Sequence, residues 1–210
     1  MKQLRYTLLS DGSSDRGLLP ILTWLLGQHL PAHAIIPEWA DLRRVPSPPR
    51  TLADRISMAV RLQPCDVLFV HRDAERASRG DRVSEIRRAQ DLCTEPRFPA
   101  VGVVPVRMTE AWLLFDEAAI RRAAGNPNGH VQLALPDLRD VESLPDPKAI
   151  LHHQLVAASE LGKRRSKTFP VGIAAGRLAD YILDFAPLRQ LAAFSALEQD
   201  LQQLIEEQGW

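Results

Sequence analysis

The stretch DVLFVHRDAE, residues 66–75, decides the fold prediction. It contains the apolar run VLFV, which is typical of a strand buried on both faces of a parallel sheet. His71, Arg72, Asp73 and Glu75 follow within the next five residues, so a buried strand ends in ionisable side chains. In an open α/β sheet, ligands bind outside the carboxyl ends of the strands. The stretch therefore predicts a central strand with a site at its end.

Strand-like and helix-like segments alternate through the first 126 residues. Strands are predicted at residues 4–10, 34–40, 67–70 and 100–106, and helices at residues 18–30, from residue 52, at 82–93 and at 110–125. Pro37 lies inside the second strand and favours an edge position for it, because proline cannot donate a ladder hydrogen bond. This order predicts an α/β Rossmannoid of about four mostly parallel strands flanked by helices.

Helix boundaries follow from capping residues. Ser13 or Ser14 is the expected N-cap of the first helix, Thr51 of the second and Thr109 of the fourth, which Gly125 ends. Beyond residue 126 the sequence is first loop-rich and then predicts helices at residues 147–161, 176–185 and 195–207. Because no linker separates the two parts, we expect one domain over residues 1–210, with a core at about 1–126 and a helical extension at about 127–210.

Composition limits the classes of function. The net charge is zero, which gives no overall attraction to nucleic acid. No apolar run approaches the roughly 20 residues that cross a bilayer, and the first residues lack the features of a signal peptide. Cys65 and Cys93 have no metal-ligand spacing, so we expect no structural zinc site and a reducing, cytoplasmic location.

Acidic side chains follow three of the four predicted strands. Asp11 and Asp15 come after the first strand, Asp73 and Glu75 after the third, and Glu110 after the fourth. Carboxylates that converge at one sheet edge repel each other, and a divalent cation such as Mg²⁺ or Mn²⁺ would offset that repulsion. Each acid could instead cap a helix or pair with a neighbouring arginine, and this alternative stays open.

These motifs resemble those of Toprim domains. The segments are LSDGSSDRGLL (residues 9–19), HRDAE (71–75), TEAWLLFD (109–116) and DPKAIL (146–151). The chain is most similar to a bacterial family of Toprim-related proteins whose function is unknown, which is itself similar to the Toprim domains of the overcoming-lysogenization-defect nucleases. Two positions depart from the family pattern: Asp11 stands where a glutamate is expected, and Glu75 stands in place of the second aspartate of a DxD motif.

The resemblance implies a Toprim-like fold and metal-assisted cleavage of phosphodiester bonds. On this hypothesis Asp11, Asp73 and Glu75 bind Mg²⁺ or Mn²⁺, and they form the catalytic set together with Glu110 and Lys148.

The same resemblance implies a substrate-binding set and partners. Arg72, His71, Ser13 and Ser14 would contact the substrate, with Arg72 on the scissile phosphate and His71 also able to carry a proton. The substrate would be DNA or RNA, and the basic run at residues 163–167 is either a second contact to it or a solvated loop. Relatives often accompany an ABC-type ATPase, which suggests a role in antiviral defence, while self-association stays open.

Two other functions remain alternatives. The altered acids could leave a catalytically degenerate Toprim-fold subunit that binds and regulates an ABC-type ATPase. A hydrolase acting on another phosphate substrate, such as a nucleotide, is the third hypothesis. A P-loop is not expected, because DGSSDRG at residues 11–17 lacks the GK[ST] ending.

Overall fold

A computed structural model of the chain describes residues 2–12, 14–74, 77–93, 95, 98–106 and 108–210. Its four strands are β1 (Lys2–Leu9), β2 (His33–Ala40), β3 (Val67–His71) and β4 (Ala100–Val103). All three strand pairings are parallel, and the order across the sheet is β2-β1-β3-β4. The predicted α/β class, with a parallel sheet flanked by helices and a helical C-terminal part, is confirmed.

Helices fill the connections and the C-terminal part. The α-helices are α1 (Leu18–His29), α2 (Leu52–Leu62), α3 (Arg79–Asp91), α4 (Glu117–Ala123), α5 (Pro147–Ala158), α6 (Lys163–Ser166), α7 (Val171–Arg177) and α8 (Ala192–Gln208). Short 3-10 helices cover Ser14–Gly17, Leu42–Arg44, Thr109–Leu113, Leu138–Ser143, Leu178–Tyr181 and Ala186–Gln190. In the part of the chain that the structure describes, no helix combines the length and the apolar character that a membrane span requires.

The sheet separates two apolar layers of unequal size. Successive residues of β3 point to opposite faces, so Val67 and Phe69 join one layer while Leu68 and Val70 join the other. The larger layer contains α1 and most of the helical segments that follow β4, whereas the smaller layer contains α2 and α3. Because both faces are covered, all five residues of β3 are buried, as the continuous apolar run predicts.

Several local predictions are confirmed. The strand that contains Pro37 lies at the edge of the sheet. Thr51 is the N-cap of α2 and its hydroxyl accepts a hydrogen bond from the Asp54 N–H at 3.1 Å. Gly125 follows α4 with a φ of 74°, a left-handed conformation that glycine adopts without steric cost.

The predicted helix over residues 110–125 is wrong as a continuous element. Residues Thr109–Leu113 form a buried 3-10 helix, and α4 begins anew at Glu117 because the Asp116 side chain accepts a hydrogen bond from the Ala119 N–H. Thr109 makes no capping hydrogen bond and is instead buried.

Two further boundary predictions are wrong. The N-cap of α1 is Gly17, because the 3-10 helix Ser14–Gly17 leads directly into α1. No side chain among the described residues caps this helix. Ser14 therefore does not cap α1, and Ser13 lies outside the described residues. The helix predicted at residues 176–185 is replaced by the end of α7 and the 3-10 helix Leu178–Tyr181.

Candidate functional site

The strand order creates a crevice between the two central strands. The chain passes from β1 outward to β2 and then returns across β1 to reach β3, so the direction of winding reverses between β1 and β3. Such a topological switch point is where ligands bind in open α/β sheets. Asp11 follows β1 here, and Arg72 and Asp73 follow β3, so the fold brings the first and second acidic segments to neighbouring strand ends.

A buried imidazole joins the two strand ends. His71, which is 2% exposed, has its Nδ1 atom 3.4 Å from Asp15 Oδ2 and its Nε2 atom 3.3 Å from Asp73 Oδ1. The Nε2 atom also lies 3.3 Å from the hydroxyl of Thr109, which reaches the site from the segment after β4. We call Asp15, His71, Asp73 and Thr109 the imidazole cluster.

The carboxylates of the imidazole cluster hold a positive charge on His71. Burial opposes the charged ring, but the neighbouring Asp15 and Asp73 outweigh it and raise the pKa of His71 from 6.5 to about 9. Burial likewise opposes ionisation of Asp15, yet His71 and the N–H of Gly12, at 2.8 Å, keep the pKa of Asp15 below its ordinary value. At neutral pH the cluster therefore contains an imidazolium between two carboxylates.

A second group surrounds Asp11 at the more exposed part of the rim. One oxygen of Asp11 accepts a hydrogen bond from Arg55 Nη1, and the other accepts one from Arg72 Nη1 at 2.9 Å. Arg72 also pairs through Nη2 with Glu85 at 3.1 Å. We call Asp11, Arg55, Arg72 and Glu85 the arginine clamp. Its two guanidiniums come from α2 and from the end of β3.

A cleft of about 300 Å³ opens beside the imidazole cluster. Its lining includes Ser14, Thr109, Glu110, Lys148 and His152. Glu110 is buried, and its Oε1 atom lies 3.3 Å from the Nζ atom of Lys148 on α5. Since Thr109 belongs to both groups, the cleft and the imidazole cluster adjoin.

The structure thus distributes the sequence-predicted residues over three adjoining places. His71 and Asp73 lie in the imidazole cluster, Asp11 and Arg72 in the arginine clamp, and Ser14, Glu110 and Lys148 at the cleft. The predicted residues Ser13 and Glu75 lie outside the described residues.

Four residues of the imidazole cluster and the arginine clamp lie outside the sequence-predicted set, namely Asp15, Arg55, Glu85 and Thr109. Asp15 is one of the acids that follow β1, only four residues beyond Asp11, and that position is the signal that could have found it. Arg55 lies on α2 at the turn after its N-cap, and no motif singled it out. Thr109 was interpreted as a cap, because its position before a helical pattern is typical of one.

The described side chains offer Mg²⁺ few ligands of their own. Within the described ranges, no three or more His, Cys, Asp or Glu side chains are grouped so that they could hold a metal ion. Mg²⁺, however, is often bound through one or two carboxylates, with water and substrate phosphates as the other ligands. Asp73 fits this role because its Oδ1 atom is buried and accepts no hydrogen bond from the described residues. Asp11 fits it less well, since guanidiniums contact both of its oxygens.

Among the described residues of the rim, acidic and basic side chains are equal in number. Four described acids face four described bases, namely Asp11, Asp15, Asp73 and Glu85 against Arg55, His71, Arg72 and Arg82. Arg82 reaches the rim from α3, where its Nε donates to the Asp73 carbonyl oxygen at 3.1 Å. A Mg²⁺ ion would therefore bring an excess of positive charge, which the phosphates of a substrate would offset.

Compared with known proteins, the chain matches no protein-family model, no curated protein and no solved structure.

Proposed function

We propose that this chain is a Toprim-like, Mg²⁺-dependent hydrolase that cleaves phosphodiester bonds in DNA or RNA. The observation that supports it best is the position of Asp73. This residue follows a central strand at the switch point of the sheet, and its buried Oδ1 atom pairs with the His71 imidazolium at 3.3 Å but accepts no hydrogen bond of good geometry from the described residues. The choice of phosphodiester cleavage as the reaction comes from the similarity of the sequence motifs to those of Toprim domains.

The proposed metal ligands are Asp73 and, from the sequence resemblance, Glu75. A bound Mg²⁺ would supply Lewis-acid stabilisation of the charge that develops on the phosphate oxygens. Asp73 itself is positioned by the imidazolium of His71, which Asp15 holds from the other side. His71 is thus a positioning residue in this proposal, because its side chain is only 1% exposed and its pKa of about 9 keeps it protonated at neutral pH.

The cleft is the proposed place for the rest of the substrate. Lys148 is half exposed and lies beside Glu110, so it can contact a phosphate while Glu110 fixes its position. Ser14 lines the same cleft and can donate a hydrogen bond to a phosphate oxygen. An ABC-type ATPase partner, a role in antiviral defence and a cytoplasmic location belong to the same proposal and derive from the resemblance and the composition.

Metal-dependent cleavage by an Asp73→Ala variant tests the proposal. Nicking of a supercoiled plasmid with added Mg²⁺ or Mn²⁺ should fall by about a thousandfold. The reason is that loss of a metal ligand removes several kcal/mol of stabilisation, at tenfold per 1.4 kcal/mol. Asp137→Ala is the matched control, because Asp137 is an exposed aspartate that pairs with Arg139 and belongs to neither the imidazole cluster, the arginine clamp nor the cleft.

The outcome that contradicts the proposal is full metal-dependent nicking by Asp73→Ala. Far-ultraviolet circular dichroism and a thermal melt of each variant separate loss of chemistry from loss of fold.

A second candidate function is a catalytically degenerate subunit that regulates an ABC-type ATPase. The observation that favours it is the arginine clamp, because Asp11 is engaged by two guanidiniums where a Toprim enzyme would need a free acid. Calorimetric titration of Mn²⁺ discriminates between the two functions. Binding that Asp73→Ala abolishes supports the hydrolase, whereas no binding at millimolar metal favours the regulatory subunit.

A further inference from the structure

The arginine clamp has the composition of an anion-binding site that already contains an anion. Arg55 and Arg72 come from different elements and converge on the single carboxylate of Asp11. The two arginine side chains are only 18% and 23% exposed, whereas the Asp11 side chain is 45% exposed. The cations are therefore set into the rim, and the anion lies on the solvent side of them.

Contacts other than Asp11 hold both guanidiniums in place. Arg55 donates through Nη2 to the carbonyl oxygen of Ser10 at 2.9 Å, and Arg72 pairs through Nη2 with Glu85 at 3.1 Å. Both arginines would thus keep these anchoring contacts if Asp11 moved away. Preorganised guanidinium groups lose less conformational entropy when they bind a ligand.

Arg72 also has an unused donor. Its Nε atom is buried and has no hydrogen-bond partner among the described residues. A buried donor without an acceptor is unfavourable, and an additional ligand oxygen would satisfy it. A carboxylate and a phosphate both match the fork of a guanidinium. The carboxylate of Asp11 is attached to the chain, whereas a phosphodiester is free to place its two unesterified oxygens against both arginines.

We propose that Arg55 and Arg72 form the binding site for a backbone phosphate of a nucleic-acid strand, and that Asp11 occupies this site when no strand is bound. Asp11 is then a placeholder anion rather than a metal ligand. Naming a nucleic-acid strand as the ligand rests on the proposed function, whereas the exchange of one anion for another rests on the clamp itself.

The exchange is feasible because the bond that is given up is weak. An ion pair with an exposed partner contributes little to stability in water. A strand that binds in place of Asp11 also releases counterions from its phosphates, which favours binding at low salt. If Asp11 competes with a phosphate for the arginines, removal of its charge should strengthen phosphate binding. If Asp11 were a metal ligand instead, its removal should not strengthen that binding.

The experiment measures binding without metal. Fluorescence anisotropy of a labelled single-stranded oligothymidylate, titrated at low salt in EDTA, gives the dissociation constant of each variant. We expect Asp11→Asn to bind about fivefold more tightly than the parent, because it removes the charge that competes with a phosphate for Arg55 and Arg72. Arg55→Gln should bind more weakly, and the gain from Asp11→Asn should disappear when both changes are combined.

Asp137→Asn is the charge-matched control, since it removes one exposed, arginine-paired aspartate elsewhere and should stay within about twofold of the parent. Inorganic phosphate, added at constant ionic strength, should compete only at millimolar concentration. Competition by phosphate at the concentration of the oligonucleotide would overturn the choice of a nucleic-acid strand as ligand.

Three results would overturn the clamp itself. These are unchanged or weaker binding by Asp11→Asn, a gain that persists without Arg55, and no measurable binding by any variant. Because EDTA removes catalysis from the measurement, a chain that cleaves nothing can still show the predicted gain. Conversely, a chain that cleaves nucleic acid can lack it.

Discussion

The imidazole cluster and the arginine clamp lie at the same rim, yet their charges are held in different ways. Both combine an acid from the loop after β1 with a base from the end of β3. In the cluster the base is His71, which is buried and acquires its charge only because two carboxylates surround it. In the clamp the base is Arg72, which is charged in any surroundings.

This difference determines how much each group can change without loss of stability. A buried charge that loses its partner is strongly destabilising, so the imidazole cluster is expected to tolerate little change. Exposed pairs contribute at most about 1 kcal/mol, so the clamp can open at low cost. The same two strand ends therefore supply both a fixed support, the imidazole cluster, and an exchangeable contact, the arginine clamp.

Removing Asp15 should have the largest effect. Asp15→Ala leaves the imidazolium of His71 with one carboxylate and takes the acceptor from the Gly12 N–H, so the free energy of unfolding should fall by about 3–5 kcal/mol. Urea denaturation at pH 7 in EDTA, followed by circular dichroism, measures this change. Asp15→Asn keeps the shape of the side chain and isolates the loss of charge. If Asp15→Ala lowered the free energy of unfolding by less than about 1 kcal/mol, the imidazole cluster would contribute no more to stability than the arginine clamp.

Changing the pH should have the next largest effect, through His71. A raised pKa in the folded state stabilises the protein fully below the unfolded pKa of about 6.5, and this contribution disappears as the pH rises through about 9. The free energy of unfolding should therefore fall by on the order of 3 kcal/mol between about pH 6 and about pH 9.5.

Urea midpoints across that pH range, in EDTA, check the expectation. Asp15→Asn should show a shallower fall, because one of the two carboxylates that raise the pKa of His71 is gone. Parallel curves for the parent and Asp15→Asn would assign the pH dependence to other groups.

Removing Asp11 should have the smallest effect on stability. Asp11→Ala breaks two ion pairs on a half-exposed side chain, and the free energy of unfolding should change by less than about 1 kcal/mol. The same denaturation measured at about 0.1 M and about 1 M salt should show an even smaller difference at high salt, because salt screens exposed charges. A loss above about 2 kcal/mol would place Asp11 with the buried cluster and argue against an exchangeable clamp.

The sheet could be predicted because its signals are local. The apolar run of β3 predicts a strand that is buried on both faces, and Pro37 predicts that β2 lies at the edge of the sheet. The structure has both features. Thr51 and Gly125 determined helix ends through their own backbone and side-chain chemistry. The α/β order itself follows from the alternation of such segments along the chain.

The break between residues 109 and 117 could not be predicted in the same way. Helical periodicity continues through it, and the competing contacts are tertiary. Trp112 packs against Phe194 of α8 at 5.4 Å between ring centroids, and Thr109 lies against His71. Both contacts join residues that are distant in the sequence.

The placement of Asp11 and Asp73 after neighbouring strands was predictable from the strand pattern, but the cations that pair with them were not. Arg55 comes from α2, and no local motif distinguishes it from the many other arginines in the sequence. The charge state of His71 was equally hidden, because it depends on burial and on Asp15.

The contact between Trp112 and Phe194 has a consequence for the order of events during synthesis. Thr109, which lies against His71, belongs to the same short helix as Trp112, and Phe194 comes some eighty residues later in the chain. A ribosome adds residues in order, and contacts that need a late residue form late. The parallel sheet can thus assemble early, whereas the contact that packs the 3-10 helix of Trp112 against α8 forms only after residue 194 has left the ribosomal exit tunnel.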